Sequence, residues 1–187
     1  MIITKNLADF FAFQAIQNQK LGYHSTVLSA SYEIETSGFL PDKIFSETDH
    51  YKLINIAVAH QEDTSALQEW LALRSVTFTQ HPNNAIEHIK QGSSGGQGLK
   101  NVTELIQKLS SSDISDVERI FIDSMSKKIQ EIRADQSVSY IVNLSDLGQR
   151  LGNDQRQPFY YYRWHPENAL PEISEIGPER ILLKLIH

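Results

Sequence analysis

The stretch Gln91–Asn101, QGSSGGQGLKN, holds four of the nine glycines in this chain of 187 residues. Glycine-dense loops that open a helix can turn backbone N–H groups onto a phosphate, because no Cβ blocks the approach. A phosphate loop needs a second glycine five residues after the first, then lysine and a hydroxyl, with a strand in front. Here Gln97 stands five places after Gly92, and Gly98 is followed by Leu99. The segment before the loop reads as helix. Serine–glycine mixtures of this kind form flexible joints, so a linker over 92–101 is the expectation.

The other groups capable of chemistry are scattered. The seven histidines stand at 24, 50, 60, 81, 88, 165 and 187, with no H-x-x-x-H or H-E-x-x-H pair to hold a metal. Composition allows a Ser-His-Asp site without pointing to one, and no catalytic residue is assigned. Glu62 and Asp63 read as helix caps. In FYYYRWH, Arg163 lies within an aromatic strand, where a guanidinium can stack and clamp a phosphate. It is the one candidate contact to a nucleotide, against the plainer reading of a surface ion pair. The aromatic strip itself could stack bases, but alternate residues of a strand turn inward and the net charge is −6.

That charge gives no general attraction to nucleic acid or anionic lipid. Cysteine is absent, which removes disulfides, thiolate metal sites and thiol nucleophiles, and fits a reducing cytoplasm. Mean hydropathy is −0.35 and no apolar run approaches a membrane span. Lys5, Asp9 and Gln14 interrupt the amino-terminal segment, which is no signal peptide.

These groups need elements to position them. Residues 5–21 read as a helix carrying Leu7, Phe10, Phe11 and Ile16. STVLSASYEIET alternates like a strand but also suits a short helix, and GFLPD reads as a turn. Lys52–His60, KLINIAVAH, reads as a strand; TSALQEWLALR as a helix; SVTFTQH as a second strand; and NNAIEHIKQ as a helix. Such a βαβα unit implies parallel strands with a right-handed crossover. After the glycines come two amphipathic helices, one with Val102, Leu105, Ile106 and Leu109, one with Val117, Ile120, Phe121, Ile129 and Ile132. SVSYIVNL and PFYYYRW read as strands. PERILLKLIH reads as a closing helix, either with an apolar face that has little to cover it, as in a piece cut from a longer protein, or packed back as an ordinary carboxy-terminal helix. The expected fold class is α/β (α+β): a module over 1–91, the linker, and a helix-plus-sheet module over 102–187.

This order resembles the amino-terminal region of the assembly ATPases of type IV pilus and type II secretion systems. The matching residues are Ile56, Ala57 and Val58 in the first strand, Ala66, Leu67, Glu69 and Leu71 in the helix, Val76, then Ala85 and Ile86. QEDT replaces the family's Asp-Pro turn. In the second, PAS-like module Arg163 matches the second arginine of an R-Y-R-x-D-G strand, with Tyr161 at the first and His165-Pro166 for Asp-Gly. The resemblance implies a non-catalytic docking region of a hexameric motor. ATP and Mg would act in a catalytic domain outside these residues, no cofactor would sit in this chain, and the partner would be the inner-membrane platform protein. The chain would be cytoplasmic and peripheral, with no nucleic acid bound and no membrane insertion. KLGYHSTVL from Lys20 is too far from the R-L-G-x-x-L repeat of some relatives to imply cyclic di-GMP. GGQGLKN is similar to the GLGL box of histidine-kinase-type ATPases, whose partner motifs are missing. The competing readings are a stand-alone nucleotide- or small-molecule-binding α/β protein using the glycine loop, and a defence or immunity accessory protein.

Overall fold

A computed structural model describes residues 1–13, 19–39, 45–73, 75–90, 96–145, 147, 151–154, 157–163 and 176–187. Mixed α and β content is as expected, but the division is different. The chain separates into two compact units, each built from discontinuous segments. Unit 1 takes Met1–Pro41, Arg74–Ser94 and Asp135–His187; unit 2 takes Asp42–Leu73 and Gly95–Ala134. The consecutive modules over 1–91 and 102–187 therefore do not form, because strands from both halves share one sheet.

In unit 1 the strands are β1 (Ile2–Thr4), β2 (Leu21–Val27), β3 (Ser75–Thr79), β4 (Ser137–Asn143), β5 (Leu151–Asp154), β6 (Gln157–Arg163) and β7 (Ile181–Ile186), in the order β1-β7-β4-β2-β3-β6-β5. Only β1 and β7 are parallel among these neighbours. The helices are α1 (Leu7–Ala12), α2 (Leu28–Ser37) and α5 (Pro82–Lys90). Residues alternate between the faces of a strand. Val138, Tyr140 and Val142 of β4 pack with Phe39, Phe78 and Ile176, joined by Leu28 and Ile34 of α2. Ile141 turns the other way, to Phe10 of α1, Ala85 and Ile86 of α5, and Tyr23. β4 is thus covered on both faces, which accounts for its five consecutive buried residues.

Unit 2 holds α3 (Glu47–Ala59), α4 (Ser65–Leu73), α6 (Gly96–Ser110) and α7 (Asp116–Ala134) around one core. The stripe Val102, Leu105, Ile106 and Leu109 is buried as expected. On α7 the stripe is rotated: Val117 and Ile120 are exposed, while Ile122, Met125 and Ile129 are buried.

Four elements differ from the sequence reading. Lys52–His60 is helix, so no βαβα unit forms. Ser46 caps α3 through a reciprocal box with Asp49, and His50, Leu53, Ile54 and Ala57 then fall on one buried helical face. The closing segment is a single 3-10 turn, Pro178–Arg180, followed by β7. Five apolar residues around one lysine are too few for a helix of any length and suit a strand covered on both faces. The amino-terminal helix covers only Leu7–Ala12, and Leu21 already belongs to β2. STVLSASYEIET divides between β2 and α2. Of the linker expected over 92–101, residues 92–95 lie outside the described residues, and Gly96–Asn101 is the start of α6.

Candidate functional site

A cluster of buried polar side chains lies in unit 1 between β4, β7 and α2. Tyr140 and Lys184 are directly opposite each other on adjacent antiparallel strands, so both side chains leave the same sheet face. A register shift between Ile141 and Val142 puts an extra residue, Leu182, on β7. Such a bulge changes which side chains face which way. It lets Ile181 pack on the α2 face, while Leu183 and Leu185 pack on the α1/α5 face.

Above Tyr140 and Lys184, α2 presents Ser31 and Glu35, one helical turn apart. Lys184 Nζ donates to Glu35 Oε1 and, at 3.1 Å, to Ser31 Oγ. The Tyr140 hydroxyl donates to the same Glu35 oxygen at 2.8 Å. The Lys184 side chain is 7% exposed and that of Glu35 is 26% exposed, so Glu35 is the more accessible of the two. Burial first, then the hydrogen bond to Glu35 and its negative charge, hold the Tyr140 phenol far above its ordinary range. Tyr140 keeps its proton, and the Lys184 ammonium is engaged on two sides. The arrangement acts as a clamp between α2 and the sheet.

A second polar chain lies on the opposite sheet face. Ser25 Oγ donates to the Ala85 carbonyl at 2.9 Å, is 2.9 Å from Ser139 Oγ, and Ser139 Oγ is 2.9 Å from His187 Nε2. A hydroxyl has one proton. With Ser25 donating to Ala85, Ser139 donates to Ser25 and accepts from His187 Nε2–H. This proton order is opposite to that of an activated serine, whose hydroxyl must donate to the histidine. Ser139 is also fully buried. Burial lowers the affinity of His187 for a second proton.

The other residues singled out in the sequence do not converge. Arg163 ends β6 opposite Ser75; its side chain lies outside the described residues. His24 Nδ1 bonds the Thr77 carbonyl at 2.9 Å beside Phe39 and Phe78. His50 bonds the Ser46 carbonyl, and His60 approaches Glu118 at 3.6 Å. Asp63 caps α4 through the Ser65 N–H, as expected. Among the described residues no group of three His, Cys, Asp or Glu is placed to hold a metal, and no helix is long and apolar enough to cross a membrane.

Within the glycine segment, Gly98 is a packing position. A Cβ there would lie 2.2 Å from Trp70 Cζ2, so glycine lets α6 approach the indole of α4. Gly92-Ser93-Ser94-Gly95-Gly96 spells the G-x-S-x-G of a nucleophile elbow. That elbow follows a strand, whereas the element before it here is the helix α5.

The sequence reading places no site at Lys184. The available signal was a lone charge within ILLKLI: a lysine inside a buried strand must find a partner. No family model, no curated protein and no solved structure matches the chain.

Proposed function

We propose that this chain is a non-catalytic docking and coupling module. The observation that carries the reading is the clamp: Lys184, Tyr140, Glu35 and Ser31 direct their hydrogen bonds at one another. The proton order of Ser25, Ser139 and His187 supports it further. In this reading these polar groups fix the geometry of a scaffold, and function resides on the surface. The narrower form is the amino-terminal region of a pilus or secretion motor, docked on an inner-membrane platform protein, with ATP and Mg acting in a separate catalytic domain of a hexamer. It is supported by α4, β3, α5, α7, β4 and β6, which keep the family's order. It loses the strand expected at Lys52–His60 and the helix expected at Ile181–Ile186.

Two measurements test the two forms. Incubation with chromogenic esters, phosphates and glycosides is expected to give no turnover that depends on Lys184 or Ser139. Turnover abolished by Lys184→Met or Ser139→Ala in folded protein would overturn the non-catalytic reading. Calorimetric titration with the cytoplasmic domain of a type IV pilus platform protein is expected to show saturable binding, and a flat titration removes the narrower form alone.

A further inference from the structure

Arg180 closes the 3-10 turn Pro178–Arg180 and leads into β7. Its backbone N–H bonds the Gly177 carbonyl at 3.1 Å. Ile181 pairs with Val142, which sets Arg180 level with Asn143 at the end of β4. There the guanidinium Nη1 donates to the Asn143 carbonyl at a long 3.4 Å. Nε is buried and bonds nothing. Nη2 is not closed off in this way, so the edge that the two nitrogens share opens outward. A buried donor without an acceptor is costly and rare in native proteins, and this one belongs to a cation. The surroundings add to the cost: buried Ile176 and Ile181 flank the turn, and buried Leu144 follows Asn143.

Two structural roles could account for such an arginine, and neither applies. An ion pair needs a carboxylate. Glu179 is next in the chain, but its carboxylate lies against Gly177, where an added Cβ would collide with it, and among the described residues no carboxylate pairs with Arg180. A helix cap needs the last carbonyls of α2. α2 ends beside this turn, where the Phe39 N–H bonds the Ile176 carbonyl at 3.0 Å, yet Arg180 bonds none of those carbonyls.

Nε and Nη2 form one edge of the planar guanidinium, a fork that can hold a carboxylate by two parallel bonds. Nη1, at the other corner, is engaged by Asn143. We propose that the Nε–Nη2 edge of Arg180 binds the carboxylate of a small organic acid. One guanidinium matches one negative charge, and two parallel donors match two oxygens. A phosphate brings a third oxygen and a second charge, which this single edge does not meet. The apolar residues around it strengthen such a bond, because the local dielectric is low. One of the two bonds forms below the surface at Nε, which favours a small free acid over a side chain held on another protein. The assignment does not depend on the docking role above.

The test follows the Arg180 Nε–H signal of the full chain in nitrogen–proton correlation spectra. Sodium acetate is exchanged against sodium chloride at constant ionic strength, so that screening does not change. Acetate is expected to move the Arg180 signal to a saturating end point at millimolar concentration and to leave that of Arg119, exposed on α7, in place. Arg180→Lys keeps the charge and removes the fork. It is expected to weaken acetate binding about tenfold, read from the Ile181 backbone N–H. An Arg180 signal that acetate does not move overturns the proposal, and this wild-type titration decides even if the variant fails to fold. Undiminished binding in folded Arg180→Lys also overturns it. Saturation by inorganic phosphate at a lower concentration than acetate overturns the carboxylate assignment. A glutamate-containing peptide, capped at both ends, that binds more tightly than acetate overturns the small free acid as the source.

Discussion

The Tyr140 hydroxyl and the Lys184 ammonium meet on one oxygen, Oε1 of Glu35, from opposed positions on neighbouring strands. Replacing Glu35 by leucine removes the shared acceptor and leaves a cation inside the unit. Breaking one side of a buried ion pair costs about 3–5 kcal/mol, and partial exposure of Glu35 places this case near the lower figure. The expected outcome is a matching fall in unfolding free energy in urea. Lys184→Met combined with Glu35→Leu restores much of it, because no charge is then left unpaired. Equal stability of the single and double variants would show that the clamp has no net electrostatic part.

Gly98 of α6 packs against Trp70 of α4 where any side chain would collide with the indole. In an exposed helix interior, Gly→Ala stabilises by about 1 kcal/mol. Here the added methyl would overlap a rigid ring, and overpacking costs about 1–3 kcal/mol. Gly98→Ala is therefore expected to be destabilising in the wild-type background and neutral or stabilising with Trp70→Leu. A double-mutant cycle in urea reads the coupling. Additivity of the two substitutions would mean that the helices adjust without strain.

How much was legible follows from where local and long-range forces agree. α4, α6 and α7 carry helical periodicity and turn-forming flanks, and β4 is a β-branched, aromatic run, so their types could be read directly. The stripe on α7 was rotated because Val117 and Ile120 are as apolar as Ile122 and Met125, and only the packing partner chooses between them. KLINIAVAH is rich in strand formers, yet the Ser46–Asp49 box lies just upstream and fixes a helical start. ILLKLI was the reverse case, where burial on both faces of the sheet decided for strand. The candidate cluster could not be assembled from sequence: Glu35 and Lys184 are 149 residues apart, and the pairing of β4 with β7 brings Tyr140 to them.

The box at the start of α3 makes that argument testable. Ser46 Oγ accepts from the Asp49 N–H at 3.1 Å, and the Asp49 carboxylate accepts from the Ser46 N–H at 3.2 Å. Ser46→Ala is expected to cost about 1 kcal/mol, and Ser46→Ala with Asp49→Ala to cost less than twice that, since the two bonds form one motif. Ser115 and Glu118 make the same motif at α7, and Ser115→Ala gives an internal comparison. Thermal unfolding followed by circular dichroism reads both. An unchanged midpoint in Ser46→Ala would mean that core packing alone holds α3 as a helix.

His24 and His187 set the acid limb of stability. Burial lowers the affinity of both imidazoles for a proton, more than the Thr77 carbonyl restores it at His24. An unfolded histidine titrates near 6.5, above both folded values, so between these values the unfolded chain binds more protons. The stabilisation is complete above 6.5 and is lost as the pH falls through the folded values. The Asp63, Glu118 and Asp135 carboxylates are held below their ordinary range by bonds from Ser65, Ser115 and Ser29 respectively. Their contribution disappears in a separate window, below about pH 4. Tyr23 and Tyr140 are raised, the first by burial and the second by burial and Glu35, so their contribution is lost as the pH rises beyond about 10. Urea midpoints are therefore expected to be level from about pH 7 to 9 and to decline below 6.5 in two stages. His24→Asn, which keeps a donor for the Thr77 carbonyl, with His187→Gln removes the first stage and leaves the second. A first stage that survives both substitutions would place the titrating group elsewhere.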